Sequence, residues 1–128
     1  MFEYWANVTN VVDGDTLDLE IDLGFGISIK VRARLAGVNT PEKFGVKSGS
    51  PEWEKGVAAT EFVKAWLTQR QNKVVIQSHD GWNKQIETGK YGRWVMQIFP
   101  GPIPPDGDVF DTLNETLVKA GHAERVAY

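Results

Sequence analysis

Three short stretches place carboxylates, guanidinium groups and oxygen ligands at spacings suited to phosphate chemistry. Asp13-Gly14-Asp15-Thr16 follows a β-branched apolar run and precedes an alternating one. Asp-Gly is a common reversal signal, so on its own this segment reads as a turn. Asp15, at a strand start, also offers a hard carboxylate to Ca²⁺ or Mg²⁺. It is not an EF-hand, because the later ligands and the bidentate Glu are missing. The second stretch, Arg34-Leu35-Ala36-Gly37-Val38-Asn39-Thr40-Pro41-Glu42, combines a guanidinium, a metal-capable oxygen and a carboxylate. It can equally be a strand leaving a barrel through a polar turn. Hydrolysis of a phosphodiester asks for charge neutralisation on the non-bridging oxygens, an activated water and a positioned electrophile. An arginine fork matches two phosphate oxygens. The third stretch, Lys90-Tyr91-Gly92-Arg93, reads alone as a hairpin turn. As a functional unit it adds a second guanidinium and a tyrosine able to stack on or hydrogen-bond with a nucleotide.

The elements that must hold these groups follow from pattern. Val8 to Val12 is a strand, broken by Asp13-Gly14-Asp15. Leu17, Leu19, Ile21 and Leu23 alternate on one face, and Ile27, Ile29, Val31 and Ala33 alternate again. Gly24-Phe25-Gly26 between them reads as a three-residue hairpin loop with positive φ at Gly26. That register sets Leu23 against Ile27, Ile21 against Ile29, Leu19 against Val31 and Leu17 against Ala33. On the other face Asp18 meets Arg32 and Glu20 meets Lys30. A one-residue slip would mismatch every pair. A helix starts at Ser50 as N-cap, with Pro51 at the first helical position and Glu52 and Glu54 at its positive end. Its apolar stripe is Ala59, Phe62, Val63 and Trp66. Lys73 to Ser78 and Arg93 to Phe99 are further strands, and Asp111 to Ala120 is a second helix ending at Gly121. The Gly-Pro segment between them reads as a connection, since no Lys follows it as in a phosphate loop. The expected class is α+β, mainly β: one domain over residues 1–128, a five-stranded OB-fold barrel with two to three helices.

Strict alternation puts Asp15 and Arg34 on opposite faces at one end of the hairpin. For both to serve one phosphate, a bulge or kink is expected near Asp13 to Thr16 or Arg34 to Ala36. Neither Arg34 nor Arg93 is expected to be deeply buried.

Composition bounds the function. With 128 residues, 41% apolar and 24% charged, the chain is an ordinary globular domain with one core. It has no Cys, which excludes disulfides and thiolate metal sites. The start lacks a signal-peptide pattern, and no run approaches the roughly 20 apolar residues of a membrane helix. These features suit a cytoplasmic protein acting as a monomer, without membrane partners. A net charge of −3 argues against a passive coat on DNA. His79 and His122 have no dyad or ligand spacing and read as surface residues. The Trp residues read as core or helix packing.

The order DGDT, R-x4-NTPE, KYGR, then Leu117-Val118-Lys119-Ala120-Gly121 before the closing Ala127-Tyr128, resembles the staphylococcal nuclease (thermonuclease-type) family. The likeness covers nearly the whole chain. Asp22-Leu23-Gly24-Phe25-Gly26 is similar to phage-encoded members, which would place the protein in a host cytoplasm. The resemblance implies a Ca²⁺-dependent nuclease for DNA and/or RNA that cleaves the 5′ P–O bond and leaves 3′-phosphates. By it, Asp15, Asn39 and the Thr40 carbonyl would hold Ca²⁺. Glu42 would hold or deprotonate the attacking water, and Arg34 and Arg93 would clamp the phosphate. Lys90, Tyr91 and Tyr128 would contact the nucleotide, Tyr128 by way of a one-residue insertion. Two departures stand out. Asn39 replaces the family's usual Asp, so the site loses one negative charge, and relatives commonly continue past the position of Tyr128 into a further helix.

A second class is a non-catalytic OB-fold module that binds nucleic acid or protein. Such a module has no need to keep Arg34, Glu42 and Arg93 together, and this chain has all three.

Overall fold

The structure, a computed structural model, describes residues 3–43, 45–78 and 94–126. Three long strands, β1 (Glu3–Asp13), β2 (Thr16–Gly24) and β3 (Ile27–Leu35), form an antiparallel meander. A two-residue strand β4 (Val38–Asn39) leads towards α1 (Pro51–Thr68). Then follow β5 (Lys73–Ser78), β6 (Trp94–Phe99), α2 (Leu113–Lys119) and a short β7 (Glu124–Arg125) that pairs with β4.

The five long strands close into a barrel in the order β1-β2-β3-β6-β5. Closure needs β1 to pair on both edges: Ala6 lies opposite Ile21 on one side and Val74 on the other. Register shifts at Val8/Asn10 and Val11/Asp13 coil β1 enough to reach both. The last seam, β3 with β6, is parallel and joins only Ala33–Leu35 to Trp94–Met96. This is the expected α+β barrel with helices packed on it, and among the described residues there are two helices.

The hairpin register is as expected at every pair from Leu17↔Ala33 to Ile21↔Ile29. The tip differs. Gly24, not Leu23, pairs with Ile27, with an irregularity after Asp22. Phe25 and Gly26 then form a two-residue turn, both with positive φ (56° and 75°). The tip runs past the barrel end, which leaves Leu23, Phe25 and Ile27 exposed although the same face buries Leu17, Leu19 and Ile21.

Both helices start where their caps dictate. Ser50 Oγ accepts from Trp53 N–H (3.2 Å), with Pro51 following. Thr112 Oγ1 accepts from Glu115 N–H (3.1 Å). The α1 face against the barrel is Ala59, Val63, Trp66 and Leu67, while Phe62 is only partly buried. Barrel residues Leu17, Leu19, Leu35, Ile76, Met96 and Ile98 meet these and α2 residues Leu113 and Leu117 in one core. No described helix is long and apolar enough to cross a membrane.

Candidate active site

Asp15 escapes strand alternation because it lies in the turn, not the strand. Asp13 pairs with Thr16, so Gly14-Asp15 is a two-residue connection. The expected departure from regular pairing is present beside it, between Val11 and Asp13, whereas β2 and β3 stay in register up to Thr16↔Arg34. The turn folds its carboxylate over the end of β3, and Leu35 N–H donates to the Asp15 carbonyl (2.9 Å).

Asp15 is buried, at 6% exposure. Oδ2 accepts the Thr40 backbone N–H (3.0 Å) and lies 2.9 Å from Arg34 Nη1. Oδ1 accepts from the Thr16 hydroxyl (3.1 Å). Arg34 Nη2 donates to Asn39 Oδ1 (3.1 Å). One guanidinium therefore links Asp15 to Asn39, and Thr40 is tied to the same carboxylate. At 8% exposure Arg34 is buried, against the expectation for a phosphate-facing arginine. The cause is that Ala33–Leu35 pass beneath the Gly14-Asp15 turn and beside Asn39, so the side of β3 away from the core is also covered.

Asp13 was not singled out in the sequence, yet it belongs to this cluster. It accepts the Asp15 N–H on Oδ1 (3.2 Å). Burial, a side-chain hydrogen bond with Asp15 and the negative charges of Asp15 and Glu42 push its carboxyl up to about 6, against a lowering by the Asp15 backbone N–H.

Two glycines set how closely the pieces approach. A Cβ on Gly14 would stand 2.9 Å from Thr40 Cγ2 and Oγ1 and 3.0 Å from Ala59 Cβ. A Cβ on Gly56, within α1, would stand 2.6 Å from the Glu42 carbonyl oxygen and 3.0 Å from Lys43 N. Glu42 therefore rides directly on the helix backbone. A glycine in mid-helix, costly in propensity, was the available signal for this. Asn39, Thr40 and Glu42 also line a cavity of about 630 Å³, whose far wall includes Glu52 and Lys55 of α1 and His122. His122 is half-buried rather than a surface residue, with its ring 4.8 Å from that of Phe62.

Asn114, on α2, is the residue the sequence hid. Its Nδ2 donates to the Ala36 (2.9 Å) and Met96 (3.1 Å) carbonyls, and its Oδ1 accepts from Ile98 N–H (3.1 Å). It ties β6 to the turn that carries the chain from Arg34 to Asn39. Lys90, Tyr91, Arg93 and Tyr128 lie outside the described residues.

The Asp15 carboxylate and the Asn39 amide oxygen, both within reach of the Arg34 guanidinium, are oxygen donors of the kind a hard cation takes. Among the described residues no three His, Cys, Asp or Glu side chains form a ready cage. A cation here would rest on Asp15 plus neutral oxygens.

Residues 32–128 match the family model described as staphylococcal nuclease homologue. An uncharacterised protein of Methanocaldococcus jannaschii is 31% identical over 136 aligned positions, which cover 94% of this chain and 58% of that protein. The chain thus spans less than two thirds of that relative's length.

Proposed function

Starting from the fact that the chain belongs to the staphylococcal nuclease family, we propose that it is a calcium-dependent phosphodiesterase acting on DNA and/or RNA. The observation that carries this reading is the convergence of Asp15, Arg34, Asn39 and Thr40, with Glu42 two residues further on. Asp15, Asn39 Oδ1 and the Thr40 carbonyl would hold Ca²⁺, which when bound supplies Lewis-acid polarisation of a phosphate oxygen. Glu42 takes the proton of the attacking water, whose oxygen bonds to phosphorus as the bond to the 5′ oxygen breaks. The leaving oxygen gains a proton, and a 3′-phosphate remains. Arg34 and Arg93 balance the charge that builds on the non-bridging oxygens. Lys90, Tyr91 and Tyr128 contact the nucleotide. The same reading has the protein act as a monomer in the cytoplasm, in a host cell's if phage-encoded.

The burial of Arg34 favours a second reading, in which the ion pair is only a structural tie and the barrel binds nucleic acid or protein without cutting it. Digestion of plasmid and single-stranded DNA with Ca²⁺, Mg²⁺ or EDTA separates the two. Cleavage with Ca²⁺ that EDTA abolishes is expected. Cleavage surviving exhaustive EDTA treatment would refute the mechanism, and binding without cleavage would favour the second reading.

A further inference from the structure

Arg34 is required in two places. In the structure its guanidinium reaches Asp15 Oδ2 (2.9 Å) and Asn39 Oδ1 (3.1 Å). Those are the side-chain oxygens assigned to the cation, and the phosphate also needs the guanidinium. The acceptor capacity of Asp15 leaves little room for both. A carboxylate offers about four lone-pair sites, and here Oδ2 serves Arg34 and the Thr40 N–H while Oδ1 serves the Thr16 hydroxyl. A Ca²⁺ ion binds carboxylate oxygens at about 2.3–2.6 Å, within repulsive range of a guanidinium already bonded to the same group.

We propose that Arg34 is the resident counter-cation of the metal site and is exchanged for the metal. Entry of a divalent cation at Asp15 and Asn39 breaks these two contacts, and the guanidinium turns to the phosphate as its clamp. This rests on the calcium-dependent reading above. Without metal, the Arg34 guanidinium is the cation that stands beside the buried Asp15 carboxylate. With metal, the substrate phosphate takes the place of the Asp15 and Asn39 oxygens as an acceptor for the guanidinium. Metal and nucleotide therefore raise each other's affinity by the same factor.

The test is calorimetric titration of the full chain with Ca²⁺, without nucleotide, for the wild type, Arg34→Gln, Arg34→Met and Asp15→Asn. Both Arg34 variants should bind Ca²⁺ at least about tenfold more tightly than the wild type, because the internal competitor is gone. Asp15→Asn should abolish binding. Should the Arg34 variants not fold, the wild type alone decides by nitrogen NMR of its arginine side chains. The Arg34 guanidinium, ion-paired through Nη1 and hydrogen-bonded through Nη2, should rotate more slowly without metal than at saturating Ca²⁺. Asp15-dependent Ca²⁺ binding that is equal or weaker in the Arg34 variants would overturn the exchange and leave the calcium reading standing. A rotation rate unchanged at saturation would do the same. No Asp15-dependent Ca²⁺ binding in the wild type and the Arg34 variants would overturn both.

Discussion

Replacing Asn114 by Leu should remove a large share of the protein's stability, although the side chains are similar in size and Asn114 touches no proposed site residue. At 1% exposure, its amide completes β6 where β3 has ended. Truncating its polar function strands Ile98 N–H and the Ala36 carbonyl. The Met96 carbonyl fares better, since it keeps the Ala36 N–H (2.8 Å). Two orphaned buried groups at about 1–3 kcal/mol each, plus one weakened acceptor, give a loss of about 3–5 kcal/mol. That is a fifth or more of the roughly 5–15 kcal/mol that holds a typical domain folded. The assay is equilibrium unfolding in urea, followed by far-ultraviolet circular dichroism and tryptophan fluorescence. Asn114→Asp gives a sharper comparison. It keeps the acceptor for Ile98 N–H but turns a carboxylate oxygen towards two carbonyls, so at pH 7 it should be at least as damaging as Leu. A loss below about 1 kcal/mol for Asn114→Leu would refute the accounting, because water or a shifted strand would then satisfy all three groups.

The other expectations concern the site and its surroundings. Gly56→Ala gains about 1 kcal/mol in helix propensity, yet its methyl meets the Glu42 carbonyl at 2.6 Å; net destabilisation and a lower kcat on single-stranded DNA are expected, and a rise in Tm with unchanged kcat would contradict the packing. Asn39→Asp should tighten Ca²⁺ binding without nucleotide, read by calorimetry, because ligand charge raises affinity; unchanged affinity would place Asn39 outside the metal shell. The Arg32 guanidinium, followed by a smaller contribution from Asn10, holds the Asp18 carboxyl below its ordinary range against the opposing effect of burial. A lowered folded pKa stabilises above the unfolded value of about 3.9 and is lost as pH falls through the folded one. Asp18→Asn should therefore cost below about 1 kcal/mol at pH 7, the pair being largely exposed, and nothing once acid has protonated Asp18; a cost that persists in acid would assign the effect to packing.

The β2–β3 register was legible because two faces had to agree at once, with apolar residues facing apolar and Asp18 and Glu20 facing Arg32 and Lys30. The start of α1 was legible because Ser50 and Pro51 act locally. The meeting of Asp15 with Arg34 could be inferred only as a required break in alternation, and the placement of Asp15 in the turn supplied it. Arg34's burial was not legible, since it depends on what covers the end of β3 from elsewhere in the chain. Asn114 was invisible for the same reason. Beside Leu113 and Leu117 it reads as the polar side of a helix, and its partner Ala36 lies 78 positions away. The β4–β7 pair is two residues long on each side, too short for any periodicity to mark.

The parallel seam also dictates an order of assembly. The meander β1–β3 closes only short loops, and the Asp15–Arg34 pair lies wholly within it. The β3–β6 seam and the Asn114 tie join parts of the chain far apart in sequence, so their loop-closure cost falls late. Substitutions in the meander core, such as Leu19→Ala, should slow folding, whereas those at Asn114 should mainly speed unfolding. During synthesis the N-terminal strands emerge first, so the charged pair can form before the strand that seals the barrel beside it has left the ribosome.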